Sequence, residues 1–158
     1  MKKIICKLQR FVKSNIPKVS VFIILCGLLS ACGNTKTDPA LEKYRSDMSS
    51  FSSTVSSLGQ AINAIDPNSP TASAELLNDL DQMNTAFRNM AALTIPDEYS
   101  DVATLVYEAS AYMNDAASLY HDAYSENGYH DEYATQALTQ YQNAMQRLTS
   151  IGQYFKEH

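Results

Sequence analysis

Apolar side chains recur through residues 39–158 at alternating spacings of three and four, which is the repeat of one face of an α-helix. In the segment from Pro39 to Ile65, Asp38 stands where a helix N-cap is expected and proline takes the first helical position. Its apolar stripe comprises Leu41, Tyr44, Met48, Phe51, Val55, Leu58, Ile62 and Ile65. The regular spacing predicts one long amphipathic helix. Its serine-rich remainder predicts a solvated outer face, with modification or glycan attachment as the alternative; these residues are Ser46, Ser49, Ser50, Ser52, Ser53, Thr54, Ser56 and Ser57.

Three further segments repeat this pattern and are separated by residues that stop helices. The breaks are Asp66-Pro67-Asn68-Ser69-Pro70, Ile95-Pro96 and Asn127-Gly128. The second predicted helix ends at Leu93, the third runs from Asp97 to Ser125, and the fourth fills the rest of the chain. Their stripes comprise Leu76, Leu80, Met83, Phe87 and Met90; Tyr99, Val102, Val106, Ala109, Met113, Ala116, Tyr120 and Ala123; and Ala134, Ala137, Tyr141, Ala144, Leu148, Ile151 and Phe155, flanked by Leu138 and Met145.

Four helices of similar length with short connections predict an all-α fold, an antiparallel up-down-up-down four-helix bundle over residues 39–158. No segment alternates with the period of two that marks a half-buried strand, so no sheet is expected. A longer helical hairpin and a domain completed by a partner chain are the alternatives. With 45% hydrophobic and 18% charged residues, the 158-residue chain has enough apolar surface for one folded domain.

Residues 1–31 are built differently from the remainder. They contain six Lys or Arg and no acid, whereas residues 32–158 contain six bases and 17 acids, a net charge of -11. A basic stretch ending at Lys18 precedes the eleven-residue apolar run from Val19 to Leu29, and small residues follow. This is the order of a secretory signal peptide, and the run is shorter than the roughly 20 residues that span a bilayer. Removal of residues 1–31 is therefore expected.

The cleavage region reads Leu29-Ser30-Ala31-Cys32-Gly33 and resembles the lipobox of bacterial lipoproteins. The resemblance implies a thioether-linked diacylglycerol on Cys32, cleavage between Ala31 and Cys32, and further acylation of the new N-terminus, for example by palmitate. It implies a cell-envelope protein held by lipid on the extracytoplasmic face of a membrane, since two or three acyl chains give stable attachment. Residues 32–38 then form a short tether. The resemblance covers residues 1–33 only, so it assigns no function to the remainder.

The sequence lacks the motifs that would indicate an enzyme or a bound cofactor. It has no Glu-x-x-His pair of a di-iron bundle, no His-Glu-x-x-His zinc motif, no phosphate-binding glycine loop and no Gly-x-Ser-x-Gly elbow. Cys6 and Cys26 lie within the predicted signal and Cys32 is the predicted lipid site, so no thiol remains for disulfides or metals. The acidic charge disfavours nucleic acid as a partner. We expect a non-catalytic protein without a cofactor.

One stretch around the predicted third break concentrates tyrosine, histidine and carboxylate side chains. Its members are Tyr120, His121, Asp122, Tyr124, Glu126, Tyr129, His130, Asp131 and Glu132. They suit a recognition surface for a protein or cationic partner, and carboxylate with imidazole also suits a metal ion. The alternative is a pair of ordinary helix ends, in which Asp131 and Glu132 favour the helix dipole.

The predicted topology also separates charge along the bundle. The near half, residues 32–53, 83–111 and 143–158, adjoins the tether and contains six bases and eight acids, a net charge of -2. The far half, residues 54–82 and 112–142, contains nine acids and no base. The function expected from this pattern is a lipid-anchored binding or interaction module with an acidic, Tyr- and His-rich far end. The alternative is a metal- or small-ligand-binding lipoprotein that uses this end or the bundle interior.

Overall fold

The structure is a computed structural model that describes residues 5–11, 38–125 and 128–157. Residues 5–11 are helical and are labelled α1. Four long helices follow: α2 (Pro39–Ala64), α3 (Ala72–Ala91), α4 (Ala103–Ala123) and α5 (Asp131–Glu157), with a 3-10 helix at Asp97–Val102 before α4. The described part of the chain contains no strand. The predicted all-α class is therefore confirmed.

Local sequence explains how α2 begins and ends. The Asp38 carboxylate accepts a hydrogen bond from the Ala40 backbone N–H at 2.9 Å, and Pro39 occupies the first helical position, as predicted. After Ile65, the Asp66 carboxylate accepts the backbone N–H of Asn68 at 2.9 Å. Such a side-chain turn competes with a continuing helix, so the chain turns before α3.

The predicted single helix from Asp97 to Ser125 is wrong at both ends. A 3-10 helix occupies its first six residues, and Tyr99 has non-helical backbone angles (φ -113°, ψ 16°). Side chains three residues apart superimpose in a 3-10 helix, so Tyr99 and Val102 both point inward and are buried. At the other end α4 stops at Ala123, before the predicted glycine signal. Gly128 has the positive φ (113°) that this signal requires, but it shapes the turn between α4 and α5.

The predicted apolar stripes form one continuous core. Every stripe position on the four helices is buried except Phe155, which is half-buried. The serine-rich face of α2 departs from expectation, because Ser52 and Ser56 are buried instead of solvated. The Ser52 hydroxyl has no hydrogen-bond partner among the described residues.

Contacts between helices fix their relative directions. Asp81 and Asn84 of α3 meet His121 and Asn114 of α4, so residue numbers rise along one helix as they fall along the other. The pair α4 and α5 behaves in the same way, because Glu108 contacts Arg147 whereas Ala123 contacts His130. Both helix pairs are therefore antiparallel. These two pairs, with α2 on α3, provide the main helix packing.

The first turns of α2, the 3-10 helix and the last turns of α5 meet at one end of the molecule, named here the near end. The rings of Tyr44 and Phe155 lie 6.2 Å apart, and Tyr99 lies 5.8 Å and 4.7 Å from them. The opposite end, where α2 and α4 finish and α3 and α5 begin, is the far end. Helices α1 and α2 also meet there, because Gln9 reaches the last carbonyls of α2.

Candidate functional site

The turn between α4 and α5 brings the predicted recognition residues to the far end. The backbone N–H of His130 donates to the carbonyl of Ala123 at 2.9 Å, which closes the turn across the helix ends. Asp122, His130, Asp131 and Glu132 are exposed there, and His121 is exposed on the last turn of α4. Glu126 lies outside the described residues, as do Ala31 and Cys32 of the predicted lipid site.

The tyrosines of this turn differ in how deeply they are buried. Tyr120 is fully buried, whereas Tyr124 and Tyr129 are half-buried with ring centroids 5.4 Å apart. The Tyr129 hydroxyl donates to the Asp131 carboxylate at 3.3 Å. The prediction that Tyr120 belongs to a binding surface is therefore wrong, because its stripe position places it in the core. Tyr124 and Tyr129 are the members of the set that can contact both the core and a partner.

Burial controls the ionisation of these tyrosines. It raises the pKa of Tyr124 to about 12. The pKa of Tyr120 is also raised, first by burial and then by the neighbouring Tyr141, Tyr124 and Tyr129. The hydroxyls of Tyr120 and Tyr124 have no hydrogen-bond partner among the described residues. Tyrosines are neutral at neutral pH even without such a shift, so the negative charge of the far end comes from carboxylates.

The two histidines have different surroundings. His121 Nε2 lies 2.8 Å from Asp81 Oδ1, and this pair links α4 to α3 on an exposed surface. His130 instead packs edge-on against Tyr133 at 5.8 Å between ring centroids. The two histidines therefore have separate partners. Within residues 5–11, 38–125 and 128–157, no group of three or more His, Cys, Asp or Glu side chains is arranged to hold a metal ion.

An aromatic cluster at the near end was not predicted as a feature. It consists of Tyr44, Tyr99, Tyr154 and Phe155, with ring centroids 4.7 to 6.4 Å apart. Arg45 donates from Nε to the Tyr99 hydroxyl at 2.8 Å, and its guanidinium lies over the same ring. The sequence signal that could have indicated this cluster is the presence of Tyr and Phe near both ends of the predicted bundle.

A groove of about 950 Å³ runs between α2 and α3 and was also not predicted. Its polar lining comes largely from the serine-rich face of α2 and the amides of α3, and includes Ser50, Ser53, Thr54, Asn78, Gln82 and Asn89. Apolar groups, among them Phe51 and Leu58, also line it. Three charged side chains, Lys43, Asp47 and Asp81, also line the groove. The mixture of polar groups and apolar surface suits a small polar ligand. Asp81 connects this groove to the pair with His121.

No helix of the described segments is both long and apolar enough to cross a membrane. No protein-family model, no curated protein and no solved structure matches the chain.

Proposed function

We propose that the chain is a bacterial lipoprotein whose residues 39–158 form an up-down-up-down four-helix bundle and act as a non-catalytic binding module in the cell envelope. In this proposal residues 1–31 are removed, Cys32 carries the lipid, and residues 32–38 tether the bundle. The antiparallel contacts of α3 with α4 and of α4 with α5 support the topology. The lipobox supports the anchor.

The observation that carries the proposal is the separation of charge between the two ends. The contact between Tyr44 and Phe155 brings the start of α2 to the near end. All six bases of residues 32–158 belong to the near half, whereas the far half has nine acids and no base. Over a Debye length of about 8 Å, anionic headgroups repel the far half, with its net charge of -9, more strongly than the near half, with its net charge of -2. The bundle then stands with its acidic end away from the membrane.

The acidic far end recognises a cationic partner, either a basic protein segment or a polyamine. Tyr124 and Tyr129 provide rigid amphipathic contact area beside the carboxylates, a combination typical of binding surfaces. A second candidate, binding of a small polar ligand, is favoured by the groove between α2 and α3.

The anchor is tested by Cys32→Ala. The variant is expected to leave the membrane fraction or to retain residues 1–31, because neither lipid attachment nor processing can take place at alanine. Fractionation with intact mass measurement checks both outcomes. Processing and membrane retention equal to wild type would refute the anchor.

Recognition is tested with spermine as the probe, by calorimetric titration of the processed protein. Neutralising four far-end acids, by Asp122→Asn, Glu126→Gln, Asp131→Asn and Glu132→Gln, is expected to weaken binding severalfold. The matched control removes four acids of the near half, by Asp97→Asn, Glu98→Gln, Asp101→Asn and Glu157→Gln, and should change affinity less. Equal losses in the two variants would show that net charge alone binds spermine. A thermal-shift panel with Ca²⁺, Zn²⁺ and Fe²⁺ tests the metal form of the alternative.

A further inference from the structure

Helix α1 occupies a groove between α2 and α5 at the far end. Ile5 and Leu8, one turn apart, are 1% and 0% exposed. The ring of Phe11 packs edge-on against Tyr141 of α5, with centroids 6.1 Å apart and an interplanar angle of 83°. Two residues of the segment expected to leave the protein, Ile5 and Leu8, therefore belong to its core, and Phe11 packs against it.

A polar contact fixes the position of α1 along this groove. Gln9 Nε2 donates to the carbonyl oxygens of Ile65 at 2.7 Å and Ile62 at 3.1 Å. The carbonyl oxygen of Asn63, at 3.5 Å, is at the longest distance for a hydrogen bond from the same nitrogen. The last carbonyls of a helix lack intrahelical partners, so a donor at this place satisfies groups that otherwise need water or a cap. The groove thus combines an apolar surface, which contacts Ile5 and Leu8, with backbone carbonyl acceptors at one side.

The groove and the helix seated in it also differ in charge. Helix α1 presents Lys7 and Arg10 outward, and both are exposed. Apart from α1, the surrounding far half contains nine acids and no base. A helix with a basic outer face is therefore complementary to this end in charge as well as in shape.

We infer that the groove between the last turn of α2 and Tyr141 of α5 is a docking site for a basic amphipathic helix of a partner protein. The occupant has two apolar residues one turn apart, an amide side chain beside the second, and Lys or Arg outside. This helix-in-groove mode uses the arrangement that α1 shows within one chain. The inference rests on the proposed function, because removal of residues 1–31 is what frees the groove.

The test uses a fluorescent peptide of residues 1–16 as the probe and the processed protein, extracted in mild detergent, as the receptor. Fluorescence anisotropy is expected to show saturable binding that weakens as salt is raised. Full chain carrying Cys32→Ala, in the fraction whose intact mass shows that residues 1–31 are retained, should bind the peptide at least about tenfold more weakly because its own α1 occupies the groove.

Peptide variants avoid any change to the fold of the receptor. Leu8→Glu in the peptide should weaken binding at least about tenfold, because the leucine side chain is fully buried in the groove. Cys6→Ser, at an exposed position of α1, is the matched control and should leave affinity unchanged. No binding by the unmodified peptide, or equal affinity of the Leu8→Glu peptide, would overturn the inference. Intact mass of the receptor reports processing separately, so failure of the proposed function is distinguished from failure of docking.

Discussion

Replacing Tyr120 with phenylalanine is expected to stabilise the protein. The Tyr120 side chain is 0% exposed, and its hydroxyl has no hydrogen-bond partner among the described residues. Unfolding returns that hydroxyl to water, so the folded state carries the full cost of dehydrating it. Phenylalanine keeps the ring in the core and removes the unpaired group.

The magnitude follows from the cost of an unpaired buried hydroxyl, which is about 1–3 kcal/mol in proteins. Part of this gain is lost because the space of the oxygen atom is left unfilled. We therefore expect Tyr120→Phe to raise the free energy of unfolding by about 1–2 kcal/mol. For a folded region of this size, each kcal/mol changes Tm by about 3–5 °C.

Tyr99→Phe is the matched control because it makes the same chemical change at a paired hydroxyl. Tyr99 is buried, but its oxygen accepts a hydrogen bond from Arg45 at 2.8 Å. Its removal should lower the free energy of unfolding by about 0.5–1.5 kcal/mol. Denaturant titration followed by circular dichroism measures both variants, and the two changes should have opposite signs. A loss of stability in Tyr120→Phe equal to that in Tyr99→Phe would refute the reasoning, since it would show that the Tyr120 hydroxyl is paired.

Three other changes test the fold. Phe87→Ala should lower the free energy of unfolding by about 3–5 kcal/mol, because the ring is 0% exposed and packs edge-on against Phe51. Tyr107→Ala, at a 57% exposed position, is the control and should change the free energy of unfolding by at most about 0.5 kcal/mol in the same denaturant titration. Gly128→Ala should cost about 1–3 kcal/mol because φ is 113°, although nothing obstructs the added methyl group; an unchanged denaturation midpoint would contradict this. Burial raises the pKa of Tyr124 to about 12. Its contribution to stability should be constant up to about pH 9 and fall as pH rises from about 9 to 12, because the tyrosine of the unfolded chain loses its proton first. Phenolate absorbance of wild type and Tyr124→Phe checks which residue ionises.

Periodicity predicted the core of this protein well because burial in helices depends mainly on spacing. The stripe from Leu41 to Ile65 is buried at every position, and the capping role of Asp38 follows from its place before Pro39. The same signals misplaced the start of the third predicted helix. Pattern alone does not distinguish an α-helix from a 3-10 turn when, as with Tyr99 and Val102, the inward residues are three apart.

The candidate site was less predictable because it depends on contacts between distant residues. Tyr120 and Tyr124 are four positions apart in one tyrosine-rich stretch, yet the first is fully buried and the second reaches the surface. His121 and Asp81 are 40 residues apart, and their pairing depends on the register of α3 against α4. The contact of Gln9 with the end of α2 involves a segment that the sequence pattern predicts to be a removed signal peptide.

The first turns of α2 contact the last turns of α5, so the helices could be connected in a different order along the chain while their packing stays the same. Because Tyr44 and Phe155 are in ring contact, a short linker can join the end of α5 to the start of α2, and new termini can be opened in the turn at Gly128. A lipobox placed before the new first residue would then attach the permuted protein by its acidic end. Such a molecule would contain the same helices and the same net charge but would stand inverted relative to the orientation proposed above, with its aromatic near end outermost.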